Sequence, residues 1–209
     1  MVLAHEVKNP VSLIKANIEL LEFERVLDNH KSNLRVIKNE LNKISELISD
    51  FMLYCNTSCD IKEDGVDIFQ IVKEHTEKFS VYNNITFSIN CFENIEDIFI
   101  MADESKIAIV LSNVYKNCIE SIEDKQGFIQ TNIYIKDKNI VIDIIDNGKG
   151  IDEEIYSKIY EPFFTMKKDG SGLGIPICVK ILESLDGSFT IFNNKEDGCT
   201  TRVIIPKAL

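Results

Sequence analysis

The 209 residues read as an α+β chain: a helical hairpin built to pair into a four-helix bundle, followed by an α/β sandwich. Three patterns predict this. Residues 1–56 place apolar side chains at steps of three and four, the spacing of helices buried along one stripe. The run Asn56-Thr57-Ser58-Cys59-Asp60-Ile61-Lys62-Glu63-Asp64-Gly65 is polar and reads as a linker. Beyond it, helical stretches alternate with short β-rich runs, the mark of a layered α/β domain.

Taken in order, Leu3, Val7, Val11, Ile14, Ile18 and Leu21 form one seam, and Leu34, Ile37, Leu41, Ile44, Ile48 and Phe51 another. Asp28-Asn29-His30 interrupts them and suits a short turn between helices. Two such stripes are too apolar to leave in water, and a second copy of the hairpin would bury them. The expected domains are therefore 1–58 and 65–209. Within the second, 66–79 reads as helix, 85–90 and 98–101 as strands, and 104–122 as helix. Residues 128–136 and 139–145 are strands around a polar turn. Residues 174–185 are helical, and 188–192 and 200–205 are closing strands.

Composition narrows the function. A net charge of −11 disfavours nucleic acid or an anionic membrane as direct partners, because both repel an acidic surface. The six cysteines show no C-x-x-C spacing, and few histidines accompany them, so metal-ligand spacing is absent. Scattered thiols and no secretion signal point to a reducing cytoplasm. No apolar run reaches the length of ~20 residues that a membrane span needs.

The chemistry-bearing residues cluster in ordered motifs. In His5-Glu6-Val7-Lys8-Asn9-Pro10, His5 lies about 200° around the helix from the Leu3/Val7 seam and faces solvent. A neutral imidazole there can attack phosphorus, with Glu6 accepting the ring proton. Pro10 removes a backbone donor and kinks the helix below it. On 104–122, Asn113 and Asn117 stand one turn apart on one face. Asp146-Asn147-Gly148-Lys149-Gly150 follows a strand. A carboxylate at Asp146 can accept an adenine amino proton, while Gly148 and Gly150 allow close backbone approach. Gly170-Ser171-Gly172-Leu173-Gly174 opens a helix, whose amides and dipole suit phosphates.

In this order the motifs resemble the transmitter core of sensor histidine kinases of two-component systems, over nearly the whole chain. The resemblance implies a Bergerat-type ATP-binding domain at 65–209 and a dimerising phosphoacceptor hairpin at 1–58. It makes His5 the phosphorylated residue and places Asn9 where relatives orient water for dephosphorylating a partner. It assigns Asn117 to Mg²⁺ and puts Asn113, Asp146, Gly148, Gly150, Gly170, Gly172, Leu173 and Gly174 around ATP. Gyrase-like and Hsp90-like relatives carry a glutamate where Asn113 stands, and an amide cannot act as that base.

Glu161-Pro162-Phe163-Phe164-Thr165-Met166-Lys167 resembles the phenylalanine box, its aromatic rings expected to anchor a short lid into core, as in nitrogen-regulator-like and sporulation-type kinases. Glu120 stands where many relatives have a phosphate-contacting lysine, which turns attention to Lys167. Thr200 falls where relatives place a hydroxyl near adenine. Ala4 departs mildly from the usual hydroxyl residue before the histidine.

The implied partners are a second copy and a response regulator or phosphorelay receiver. The implied location is cytoplasmic, with any sensor or membrane attachment upstream of this segment. A phosphotransfer scaffold without kinase activity, or a water-splitting ATPase of the same fold, are the rival expectations.

Overall fold

The computed structural model describes residues 11–12, 14–16, 18–19, 31–56, 65–94, 98–167 and 170–207. They fall into two compact units, Met1–Asn56 with Phe163–Leu173, and Thr57–Pro162 with Gly174–Leu209. His5, Glu6, Asn9, the turn at 28–30 and most of the linker lie outside the described residues.

The first unit is helical. The described residues between 11 and 19 are helical, and α1 runs Lys31–Cys55. Lys38 Nζ lies 3.7 Å from Glu19 Oε1, and Ile18 and Leu41 are both buried, so the two seams meet inside one chain. Ile14, Ile37, Ile44 and Phe51 of the stripes, and Leu47 beside them, remain exposed in the single chain.

The second unit is a sheet with helices on one face. Its elements are β1 (Val66–Asp67), α2 (Ile68–Phe79), β2 (Ile85–Cys91), β3 (Phe99–Ile100), α3 (Glu104–Ile122), β4 (Gly127–Lys136), β5 (Asn139–Asp146), α4 (Gly174–Glu183), β6 (Ser188–Asn193) and β7 (Cys199–Pro206). Single 3₁₀ turns occur at Glu153–Ile155 and Lys158–Tyr160. The main sheet has the order β2-β4-β5-β7-β6, with β2 parallel to β4 and the other pairs antiparallel. β1 and β3 form a separate antiparallel pair.

Local chemistry explains the boundaries. Asp67 is extended and its side chain accepts from Gln70 N at 3.0 Å, so α2 begins at Ile68 and not at 66 as its apolar pattern suggested. Asp103 caps α3 in the same way through Ser105 N. The β4–β5 turn is Asp137-Lys138, both residues at positive φ (51° and 66°), the geometry that matches strand twist in a two-residue hairpin.

The core alternates along the strands. Ile129 and Ile133 of β4, Ile140, Ile142 and Ile144 of β5, and Val203 and Ile205 of β7 are buried beneath α3 and α4. α3 adds Ile107, Val110, Leu111, Val114, Tyr115 and Ile122. The buried Tyr115 hydroxyl is satisfied by Thr131 Oγ1 at 2.6 Å and Thr76 Oγ1 at 3.1 Å. Opposite the helices, Arg202 donates two bonds to Asp143, at 2.7 and 2.8 Å, across the β5–β7 pair. Tyr160 OH accepts from Ile191 N and Tyr156 OH donates to Ile191 O, closing the edge strand β6.

Candidate nucleotide-binding site

In the second unit the site is built where β5 ends beside α3. Asp146, the last residue of β5, is 3% exposed. A buried carboxylate needs donors. Its Oδ1 receives Gly148 N–H at 2.8 Å, Ser121 Oγ at 3.1 Å and Cys199 N–H at 3.4 Å. That convergence holds Oδ1 in place, and the Cys118 thiol hydrogen-bonds the same carboxylate.

The turn after Asp146 is strapped from several sides. Lys149 N–H reaches Ser121 O at 3.2 Å. Asn147 Oδ1 accepts from Phe128 N at 2.8 Å. Asn193 pairs with the backbone of Ile151 through both amide atoms, at 2.8 and 2.7 Å. Asn194 Nδ2 donates to Asp146 O at 2.9 Å. Gly148 packs so tightly that a Cβ would stand 2.0 Å from Ser121 Oγ. Gly198, at φ +81°, would bring a Cβ within 2.0 Å of Asp146 O, so a side chain is excluded by both space and backbone.

Asn113 and Asn117 are half-buried on α3. A Cβ on Gly174, the first residue of α4, would stand 3.4 Å from Asn113 Oδ1, so the asparagine lies against the start of that helix. Asn113 also hydrogen-bonds the buried thiol of Cys178. Burial pushes that thiol up to about 12.

Two further thiols flank the carboxylate. Burial, and then the charge of Asp146, hold Cys118 well above the ordinary thiol range and push Cys199 up to about 11. Both are therefore protonated and inert at neutral pH. The structure sets Cys199 against Asp146, while the Thr200 hydroxyl donates to Asn194 Oδ1 at 2.6 Å. Strand alternation explains this: neighbouring residues of β7 point to opposite faces, and the thiol faces the helices. Ser121 and Cys199 were missed from the sequence, where nothing pairs residues so far apart.

The resident groups expected here fit the residues present. A buried carboxylate with one saturated oxygen suits a base bearing an amino group. Among the described residues no group of three or more His, Cys, Asp or Glu could hold a metal alone. A Mg²⁺ ion would thus take an amide oxygen from Asn117 and its remaining ligands from phosphates and water.

In the first unit, the segment Phe163–Leu173 carries the second glycine motif. Phe163 is at φ +69° and is 61% exposed, so it does not anchor the segment in a core as expected. Its N–H donates to Gly172 O at 3.0 Å, and its ring stacks on Phe51 of α1 with centroids 6.5 Å apart. Gly172 is at φ +66°, and a Cβ there would stand 2.5 Å from the Phe163 backbone. Ser171 Oγ donates to Asp50 Oδ2 at 2.9 Å, and Leu173 N–H reaches Ser171 Oγ at 3.2 Å. Lys167 is exposed, and a Cβ on Gly170 would stand 2.6 Å from Thr165 Oγ1.

Residues 102–209 match the model of the histidine kinase-, DNA gyrase B- and HSP90-like ATPases, and the chain belongs to that family. Residues 2–54 match the His Kinase A (phospho-acceptor) domain, and the two together make a sensor histidine kinase transmitter core. Sporulation kinase B of Bacillus subtilis (strain 168) is 26% identical over 208 residues, covering 99% of this chain and 48% of the relative. The chain thus spans about half the length of that curated relative or less of others, such as Sporulation kinase A at 34%. The structure of full-length ShkA in complex with AMPPNP shares the fold, with TM-score 0.85 and 20% identity over 99% of this chain and 45% of that one.

Proposed function

We propose that this chain is the catalytic core of a dimeric histidine kinase that moves the γ-phosphoryl group of ATP to His5. The carrying observation is the buried Asp146 with one oxygen saturated by three donors, a ready acceptor for an adenine amino group. Asn113, Asn117 and Gly174 line the same unit, and Gly170, Gly172, Leu173 and Lys167 lie in the segment that leads into α4.

In this reading Asp146, Gly148 and Gly150 hold the base, and Thr200 acts at one remove through Asn194. Lys167 and the glycine amides neutralise phosphate charge. Mg²⁺ on Asn117 would supply further neutralisation. Glu6 takes the proton from His5 as nitrogen attacks, and Asn9 serves later dephosphorylation of a partner. Asn113 lacks a basic oxygen to activate water, which favours transfer over hydrolysis.

The phosphoacceptor domain occupies 1–58 and the ATP-binding domain 65–209. Exposed Ile14, Ile37, Ile44 and Leu47 support burial against a second copy. The next acceptor is an aspartate on a response regulator or phosphorelay receiver. In support, a solved complex of histidine kinase ThkA with response regulator protein TrrA is similar in structure, with TM-score 0.69 and 25% identity over 99% of this chain and 60% of that one. Among the described residues no helix is long and apolar enough to cross a membrane, and the proposed site of action is the cytoplasm.

The test is His5→Ala. Incubated with Mg-ATP, it should give no acid-labile phosphoprotein while binding ATP like the parent chain. Label persisting on the variant would remove His5 from the mechanism, and loss of ATP binding would undo the separation of the two domains.

A further inference from the structure

We propose that Ser121 is a positioning residue for purine selection, acting through Asp146. This deepens the nucleotide reading above and rests on it.

Ser121 stands one residue before the end of α3 and is half-buried. Three observations tie it to the carboxylate. Its Oγ is 3.1 Å from Asp146 Oδ1. Its backbone oxygen accepts Lys149 N–H at 3.2 Å, so the turn that carries the glycines is docked on the same residue. Gly148 lies directly over the hydroxyl, with room for no Cβ.

The hydroxyl has one proton and two acceptors within reach, Cys118 O at 2.8 Å and Asp146 Oδ1 at 3.1 Å. If the proton went to the carbonyl, a hydroxyl lone pair would face a carboxylate oxygen. A carboxylate oxygen is a stronger acceptor than a backbone carbonyl, so the proton points to Oδ1. The other donors to Oδ1 are backbone amides, and that of Cys199 is long at 3.4 Å. Removing the hydroxyl leaves Oδ1 one short amide bond, with the Cys118 thiol, a weak donor, as the carboxylate's other side-chain partner, so the carboxylate is held less firmly. Oδ2 then no longer meets a purine 6-amino group at a fixed angle.

A purely structural serine would weaken every nucleotide alike. A positioning serine should weaken only those whose 6-amino group Asp146 reads. The experiment compares the full chain with Ser121→Ala, using ATP and purine riboside triphosphate, which has the same phosphates and no 6-amino group. Calorimetry gives both affinities, and autophosphorylation gives KM and kcat for ATP.

For Ser121→Ala we expect the ATP affinity to fall on the order of tenfold, the size of one hydrogen bond to a charged group. KM should rise with it and kcat should hold. Affinity for purine riboside triphosphate should change less than about twofold, which also shows that the variant is folded. Equal losses for both nucleotides, or an unchanged ATP preference, overturn the role of Ser121. A parent chain with no preference for ATP over the analogue overturns the base reading of Asp146, and this inference with it.

Discussion

The Asp146 corner and the Phe163–Leu173 segment are both glycine-punctuated turns, yet they are held in opposite ways. Around Asp146 the polar atoms are spent inward: three donors on one carboxylate oxygen, and Asn147, Asn193 and Asn194 each bonded to backbone. In the other segment Phe163 and Met166 are 61% and 75% exposed, and its contacts come from α1 through Phe51 and Asp50. The Asp146 corner is held by the sheet and by α3. The Phe163–Leu173 segment is held by α1.

The sharpest way to break this contrast is Asp146→Ala. It strands the buried Gly148 and Cys199 amides, at about 1–3 kcal/mol each where no water replaces the carboxylate, while the half-buried Ser121 hydroxyl turns to Cys118 O. ATP affinity should fall at least tenfold and the melting temperature should drop with it. An unchanged melting temperature would mean the corner is not preorganised by its donors.

A matched pair of glycine substitutions comes next. Gly198→Ala and Gly172→Ala both force a side chain into left-handed backbone, at about 1–2 kcal/mol before any clash. Gly198→Ala should lower global stability in thermal unfolding, because its Cβ meets the Asp146 backbone. Gly172→Ala should leave the melt nearly unchanged and instead speed amide exchange within 163–173. Equal effects on the melt would erase the distinction between the regions.

Lys167→Ala should slow autophosphorylation on the order of tenfold while changing ATP affinity little, as for a charge used mainly in the transition state. Parallel losses in rate and affinity would make it a ground-state contact.

The smallest effect is alkaline. Cys178 and Cys199 ionise only near about 12 and about 11 when folded, chiefly because they are buried. The unfolded thiols release their protons near about 8.5. Their contribution to stability is therefore full below that pH and is lost as pH climbs through the folded values. The melting temperature should decline above about pH 9, and Cys178→Ala should flatten the decline. A pH-independent melt would contradict the burial of these thiols.

Much of this was legible in the sequence because it is local. The Glu104–Ile122 helix, the β4–β5 hairpin and Asp146 at a strand end all follow from patterns a few residues long. Less legible was whatever depends on register or distance. The start of α2 slipped because Val66 and Asp67 pair with β3, a contact no periodicity encodes. Thr200 and Cys199 are adjacent, and only the phase of β7 decides which of them faces Asp146. Ser121 meets Asp146 25 positions further on, and Phe163 meets Phe51 across a still longer stretch of chain.

The central claim is that phosphate moves from ATP to one histidine. The direct measurement is a Mg-ATP time course on the full chain, followed at neutral pH by peptide mass spectrometry. Phosphorylation should be confined to His5, labile to acid and stable to base, and absent from Asn117→Asp. Free phosphate released without phosphoprotein, or an acid-stable phosphate on another residue, would contradict it.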